Sequence, residues 1–230
     1  MKVLGWQNAK TVKGEKLGYL TGIRYLAPAN TVETVLGVPM NTCPNAGECA
    51  QWCLYTSGRA ACFPEINKSR IAKTVWRYTD RAGHLEAASK EIEAAQKLAA
   101  RLGLRLAVRL NGTSDLPADS LDLAARHRDV QFYDYTKLPA HALRKDLPAN
   151  YHLTLSYDAQ SVPWSVCEMA LRQGVNVAMI LPLSPGGRRL ESFRGYATID
   201  GDAHDLRFLD PKGVIVALTP KGDAKQFKHL

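Results

Sequence analysis

From residue 104 onward, short apolar runs alternate with amphipathic stretches, and that alternation constrains the fold more than any other feature. Leu104–Leu110, Val130–Tyr135, Tyr151–Ser156, Val175–Leu181 and Gly213–Leu218 read as strands. Asp119–His127, Ala140–Lys145, Val162–Gln173 and a short C-terminal stretch near Ala224 read as helices. Apolar strands separated by amphipathic helices pack as a mostly parallel sheet with right-handed crossovers. An earlier strand at residues 21–27, closed by Pro28, brings the number of βα units to six. The expected architecture is therefore an α/β fold of the incomplete (β/α)6 barrel type, with an open doubly wound sheet as the alternative.

The expected organisation is a single domain over 1–230. It divides into an N-terminal extended segment (1–40), a cysteine loop after the first strand (41–66) and a βα body (67–230). A helical region spans about Asn67 to Leu102, with Ile71, Val75 and Tyr78 on one face and Leu85, Ala88, Ile92, Ala95, Ala99 and Leu102 on another. Gly83 is the expected break between two helices. No long apolar run is free of charge and the N-terminus has no signal-like core, so no membrane association and a cytoplasmic location are expected.

In folds of this kind chemistry gathers at the carboxyl ends of the strands. Polar residues crowd each such end: Asn111–Asp115, Asp134–Lys137, Ser156–Asp158, Pro182–Gly187 and Thr219–Lys221. The end of the first strand carries the cysteines. Cys43, Cys49 and Cys53 are separated by five and three residues, and Cys62 follows eight residues later. Clustered thiols in a reducing compartment point to metal or redox chemistry. Zinc usually takes paired Cys-x2-Cys knuckles, which are absent here, whereas three close thiols suit a [4Fe–4S] cluster with one open iron. Cys43, Cys49 and Cys53 are the expected metal ligands, with zinc as the alternative metal and Cys62 outside the set.

Asn111, Gly112, Thr113, Ser114 and Asp115 form either a ligand cradle or a helix-capping turn. Asp115, Asp134 and Lys137 are candidates to orient or protonate a substrate. Asp134 and Lys137 read equally as part of a strand-end ion pair, and Asp158 has the same two readings. Lys221 is placed to contact a phosphate or carboxylate. Asp200, Asp202, His204, Asp205 and Asp210 either hold a divalent cation or pair with Arg207 and other basic residues. Arg70, Lys73, Arg77 and Arg81 form one helical stripe, either phosphate-binding or simply the wet face of the helix. The formal net charge of +8 favours polyanionic partners, so a nucleotide or small-molecule ligand, and nucleic acid, are the expected partners.

The segments Asn41–Cys49, Cys53–Arg59, Arg109–Asp115, Phe132–Lys137 and Asp200–Asp210 resemble the gene-product-88 family of phage and prophage proteins. That resemblance implies an origin in a phage or other mobile element. A wider resemblance is to radical S-adenosylmethionine enzymes, where three cysteines also follow the first strand of a six-unit partial barrel. It implies a [4Fe–4S] cluster on Cys43, Cys49 and Cys53, with S-adenosylmethionine on the open iron near Asn111–Asp115. The cysteine gaps here are five and three residues, where that family typically has three and two. A non-catalytic nucleic-acid-binding or replication accessory protein with a structural metal is the alternative function.

Overall fold

The computed structural model describes residues 1–6, 9–50, 53, 63–183 and 187–221. Nine strands form one sheet: β1 (Leu4–Gly5), β2 (Tyr19–Arg24), β3 (Arg105–Arg109), β4 (Gln131–Thr136), β5 (Tyr151–Ser156), β6 (Val177–Ile180), β7 (Ser192–Phe193), β8 (Tyr196–Asp200) and β9 (Ile215–Leu218). Their order is β1-β2-β3-β4-β5-β6-β9-β8-β7. Every pairing from β2 through β9 to β8 is parallel; the edge strands β1 and β7 pair antiparallel.

All six expected strands are present, and the sheet runs through them in chain order. It is an open sheet, with β1 and β7 as its two edges. The 1–40 segment is not simply extended: it also contains helices α1 (Ala9–Glu15) and α2 (Thr31–Leu36). Gly37, at φ 69°, ends α2 by donating its N–H to Glu33 O, a left-handed stop that a side chain would strain.

The helices that follow are α3 (Pro64–Thr79), α4 (Arg81–Arg101), α5 (Pro117–Arg126), α6 (Pro139–Ala142) and α7 (Trp164–Arg172). The break in the long helical region falls at Asp80 rather than Gly83. Asp80 accepts a hydrogen bond from Gly83 N at 2.8 Å and so caps α4. A Cβ on Gly83 would lie 2.1 Å from Asp80 Oδ2, so the glycine makes room for the cap. The helix expected near Ala224 lies outside the described residues.

The strands present alternate residues to two layers. Leu106, Val108 and Leu110 with Phe132, Tyr151 and Leu153 pack under Leu85, Ala88, Ile92, Ala95 and Ala99 of α4 and Leu123 and Ala124 of α5. Leu155, Val177, Met179, Ile215 and Ala217 continue that layer under Cys167, Ala170 and Leu171 of α7. On the opposite face Tyr19, Ala107 and Tyr133 meet Leu206 and Phe208 from the segment between β8 and β9. Among the described residues no helix is long and apolar enough to cross a membrane.

Candidate functional site at the strand ends

The cysteine segment lies across the carboxyl ends of the parallel strands. Thr42 anchors it. This residue is fully buried, its Oγ1 donates to Ala27 O at 2.7 Å, and its carbonyl accepts from Asp115 N at 2.7 Å. Tyr78 of α3 donates to Asn41 O at 2.5 Å. Asn45 donates from Nδ2 to Lys137 O. Gly47, at φ 55°, fits so closely that a Cβ there would be 2.8 Å from Asp158 Oδ1. These contacts tie residues 41–47 to the ends of β2, β3, β4 and β5.

Cys43 is half-buried, with Sγ 3.7 Å from Thr113 O and 3.8 Å from Thr42 Oγ1. Burial raises its thiol pKa, and the nearby Asp115 and Cys49 push it the same way. Cys49 is exposed in a 3-10 turn at Gly47–Ala50, and Cys53 is half-buried. Among the described residues no three His, Cys, Asp or Glu side chains are gathered closely enough to hold a metal ion. The expected convergence of the three thiols is therefore not formed in this conformation. Cys62 lies outside the described residues.

Asp115 is the carboxylate beside Cys43. Its Oδ2 accepts from Lys137 N at 2.7 Å and Thr136 Oγ1 at 3.1 Å. Burial lifts its pKa to about 6 against those two hydrogen bonds. Lys137 Nζ forms an ion pair with Asp158 Oδ2 at 2.6 Å, and Asp158 Oδ1 accepts from Gln160 N and Ser161 N. Lys137 thus pairs with Asp158 and not with Asp134.

Asp134 points away from the strand ends into the helical layer. It is 1% exposed and takes donors from Asn111 N, Asn111 Nδ2, Ser120 Oγ and Tyr151 OH. Burial raises its pKa against those bonds. Its geometry is that of a loop anchor. Asn111 Oδ1 in turn accepts from Ser114 Oγ at 2.9 Å and Leu116 N at 3.0 Å. Thr113 Oγ1 donates to Leu26 O, and Gly112 N donates to Arg24 O. The Asn111–Asp115 loop therefore satisfies its own polar groups, as a turn does, and Asp115 alone turns its carboxylate toward the cysteine segment.

Lys221 stands apart from this group. It pairs with Asp202 at 2.6 Å, and Asp202 also takes Arg189 and Thr219. Burial would raise the Asp202 pKa, but those partners hold it well below the usual range. Asp205 pairs with Arg109 at 2.8 Å, and Asp210 with Arg207 at 3.2 Å. The 200–210 carboxylates named here are thus matched by cations, Arg109 from β3, Arg207 from the same segment and Arg189 and Lys221 from adjoining loops, the second of the two readings of that segment.

The basic stripe is turned partly inward: Arg70 is buried and Arg77 largely so, Lys73 is half-buried, and Arg81, which opens α4, keeps 41% of its side chain exposed. Arg77 and Arg81 both reach Asp119, which also takes the fully buried Arg24 at 2.8 Å. Burial raises the Asp119 carboxyl, but bonds and charges from Arg77 and Arg24 outweigh that and leave its pKa well below normal. Arg24 and Asp119 carried no signal in the sequence beyond their identities, because their partners lie far away in the chain. Thr42 and Asn45, beside Cys43, were legible only as loop residues.

A family model described as Gene product 88 matches residues 2–229. The chain belongs to the Gene product 88 family. No curated protein and no solved structure matches it. In this Gene product 88 chain, the strand ends of β2–β5 are where Cys43, Asp115, Lys137 and Asp158 come together.

Proposed function

We propose that this Gene product 88 protein is an iron–sulfur protein of the radical S-adenosylmethionine-like type. Its setting is a phage or prophage, and its substrate is a nucleotide or nucleic acid. The observation that carries the reading is the docking of the cysteine segment on the strand ends, through Thr42, Asn45 and Gly47, next to Asp115 and the Lys137–Asp158 pair. The sheet is open, yet its six central parallel strands run in chain order, as the strands of a partial barrel do, and that order supports the same reading.

Cys43 is the fixed ligand in this proposal. Cys49, in an exposed turn, and Cys53 would complete the ligand set, metal binding and local ordering being coupled. Thiols suit a soft iron–sulfur assembly, and three of them leave one iron open. When bound, such a cluster supplies an electron to a sulfonium cofactor. The chain's own residues do the rest: Asp115 presents a carboxylate to the ligand and holds or releases a proton near neutral pH. The Lys137–Asp158 pair stands beside the cysteine segment, and Thr113, through its hydroxyl to Leu26 O, and Gly112, through its N–H to Arg24 O, hold the loop that carries Asp115. The protein gives orientation and water exclusion, and the cofactor carries the hard chemistry.

The test is titration of anaerobically reconstituted, reduced protein with S-adenosylmethionine, followed by electron paramagnetic resonance. A saturable change in the cluster signal, weakened by Asp115→Asn, is the expected result. A cluster signal indifferent to S-adenosylmethionine contradicts the cofactor assignment. A colourless protein holding one zinc contradicts the cluster itself.

A further inference from the structure

The amino ends of β2, β3 and β4, away from the cysteine segment, border a cleft of about 880 Å³ between the last turns of α4 and α5 and the 146–150 loop. Its apolar lining includes Leu104, Leu106 and Val130. Ala99, Ala100, Ala124, Ala125 and Ala149 also line it, and their short side chains leave open the space that longer ones would fill. Ligand clefts have this character, apolar surface with a few polar groups, and volumes of about 300–1,000 Å³.

The polar groups in the cleft are mainly cationic. Arg105 and Arg128 both line it, both are exposed, and neither has a carboxylate within ion-pair distance among the described residues. Arg105 lies over the Tyr19 ring at 4.3 Å, a contact that restrains its guanidinium. Of the two lining carboxylates, Asp146 is held by Arg144 at 2.6 and 2.8 Å, so Asp129 stands against two guanidiniums. Helix-end carbonyls would repel an anion, but here they are largely taken. Leu98 O, Ala99 O and Ala100 O of α4 accept from the N–H groups of Leu102, Leu104 and Gly103, and Ala124 O and His127 O accept from Asn150 Nδ2. Gln131 Nε2 is committed to Phe132 O and Asn150 O, which leaves Oε1 to accept. Gln96, half-buried, makes no side-chain hydrogen bond among the described residues.

We infer that this cleft binds a nucleoside monophosphate. The base fits the alanine-lined space, with Gln96 and Gln131 to pair with its polar edge. The phosphate matches Arg105 and Arg128, since a guanidinium offers paired N–H donors to two phosphate oxygens. The site lies at the other end of the strands from Cys43 and does not depend on a metal.

The test is calorimetric titration of the full chain with adenosine 5′-monophosphate, beside adenosine, inorganic phosphate and octanoate at matched ionic strength. Saturable binding of the nucleotide is expected, at least about tenfold tighter than adenosine or phosphate alone. Arg105→Gln and Arg128→Gln, both at exposed positions, should each weaken it about tenfold. Ala100→Leu, also exposed, should block it by filling the cleft. Binding should be the same with and without a reconstituted cluster, which separates this site from any nucleotide contact at the strand ends near Cys43. The inference is overturned if the nucleotide binds no better than phosphate, if octanoate binds and the nucleotide does not, or if all three variants bind as the parent does.

Discussion

At the scale of single residues, the account turns on which charged side chains are matched within the fold. Asp119 is the most loaded of them, taking Arg24, Arg77 and Arg81 at 2.8–3.0 Å. Removing its charge while keeping its shape leaves a fully buried guanidinium uncompensated. Asp119→Asn should therefore destabilise the protein by about 3–5 kcal/mol, read from the denaturant midpoint. A change below about 1 kcal/mol would mean that solvent reaches Arg24. The sequence pointed to this helix stripe but left its facing open, since Arg70, Lys73, Arg77 and Arg81 have the spacing of a wet face as much as of an inner one. The outcome was set by Asp119, on another helix, 38 residues from Arg81 in the chain. The Asn111–Asp115 run was equally open, and Asp134 decided it by taking Asn111 as an internal partner.

At the scale of elements, strands were more legible than helix ends. The period and composition of β3, β4, β5, β6 and β9 placed them to within a few residues, because each is buried and rich in branched or aromatic side chains. β1, β7 and β8 lack that signature: two have two residues each, and β8 is half-exposed. The junction of α3 and α4 shows how a cap outranks a helix breaker. Asp80→Ala should cost about 0.5–2 kcal/mol through loss of the bond to Gly83 N. Gly83→Ala should be nearly neutral in the parent, where it displaces the cap, yet stabilise the Asp80→Ala background by about 0.5–1 kcal/mol through helix propensity. A double-mutant cycle showing additive effects would contradict the close packing of the two side chains.

At the scale of the whole molecule, stability carries a pH signature. Burial, with nearby cations, holds His84, His141 and His152 down to about 4 from an ordinary value of 6.5. Between those values the unfolded chain binds protons that the folded one refuses, so stability falls as pH drops from about 6.5 to about 4 and levels off below. Asp115 and Asp210, both raised by burial to about 6, act in the opposite sense between about 6 and 3.8. His127 and His204, also lowered by burial, add to the loss, and Asp134, raised by burial, offsets part of it, so five histidines stand against three carboxyls and thermal midpoints should decline across that interval. His84→Gln should flatten the decline, and an unchanged slope would place His84 in contact with water.

The proposed cluster would be held by Cys43, Cys49 and Cys53, on a segment fixed to the strand ends by Thr42, Asn45 and Gly47. Iron and acid-labile sulfide per chain, assayed after anaerobic purification of the full protein and of its cysteine variants, tests it most directly. The account predicts about four irons with matching sulfide, lost in Cys43→Ser and retained in Cys62→Ser. Iron that persists in Cys43→Ser, or a parent protein that takes up none under reconstitution, would contradict it.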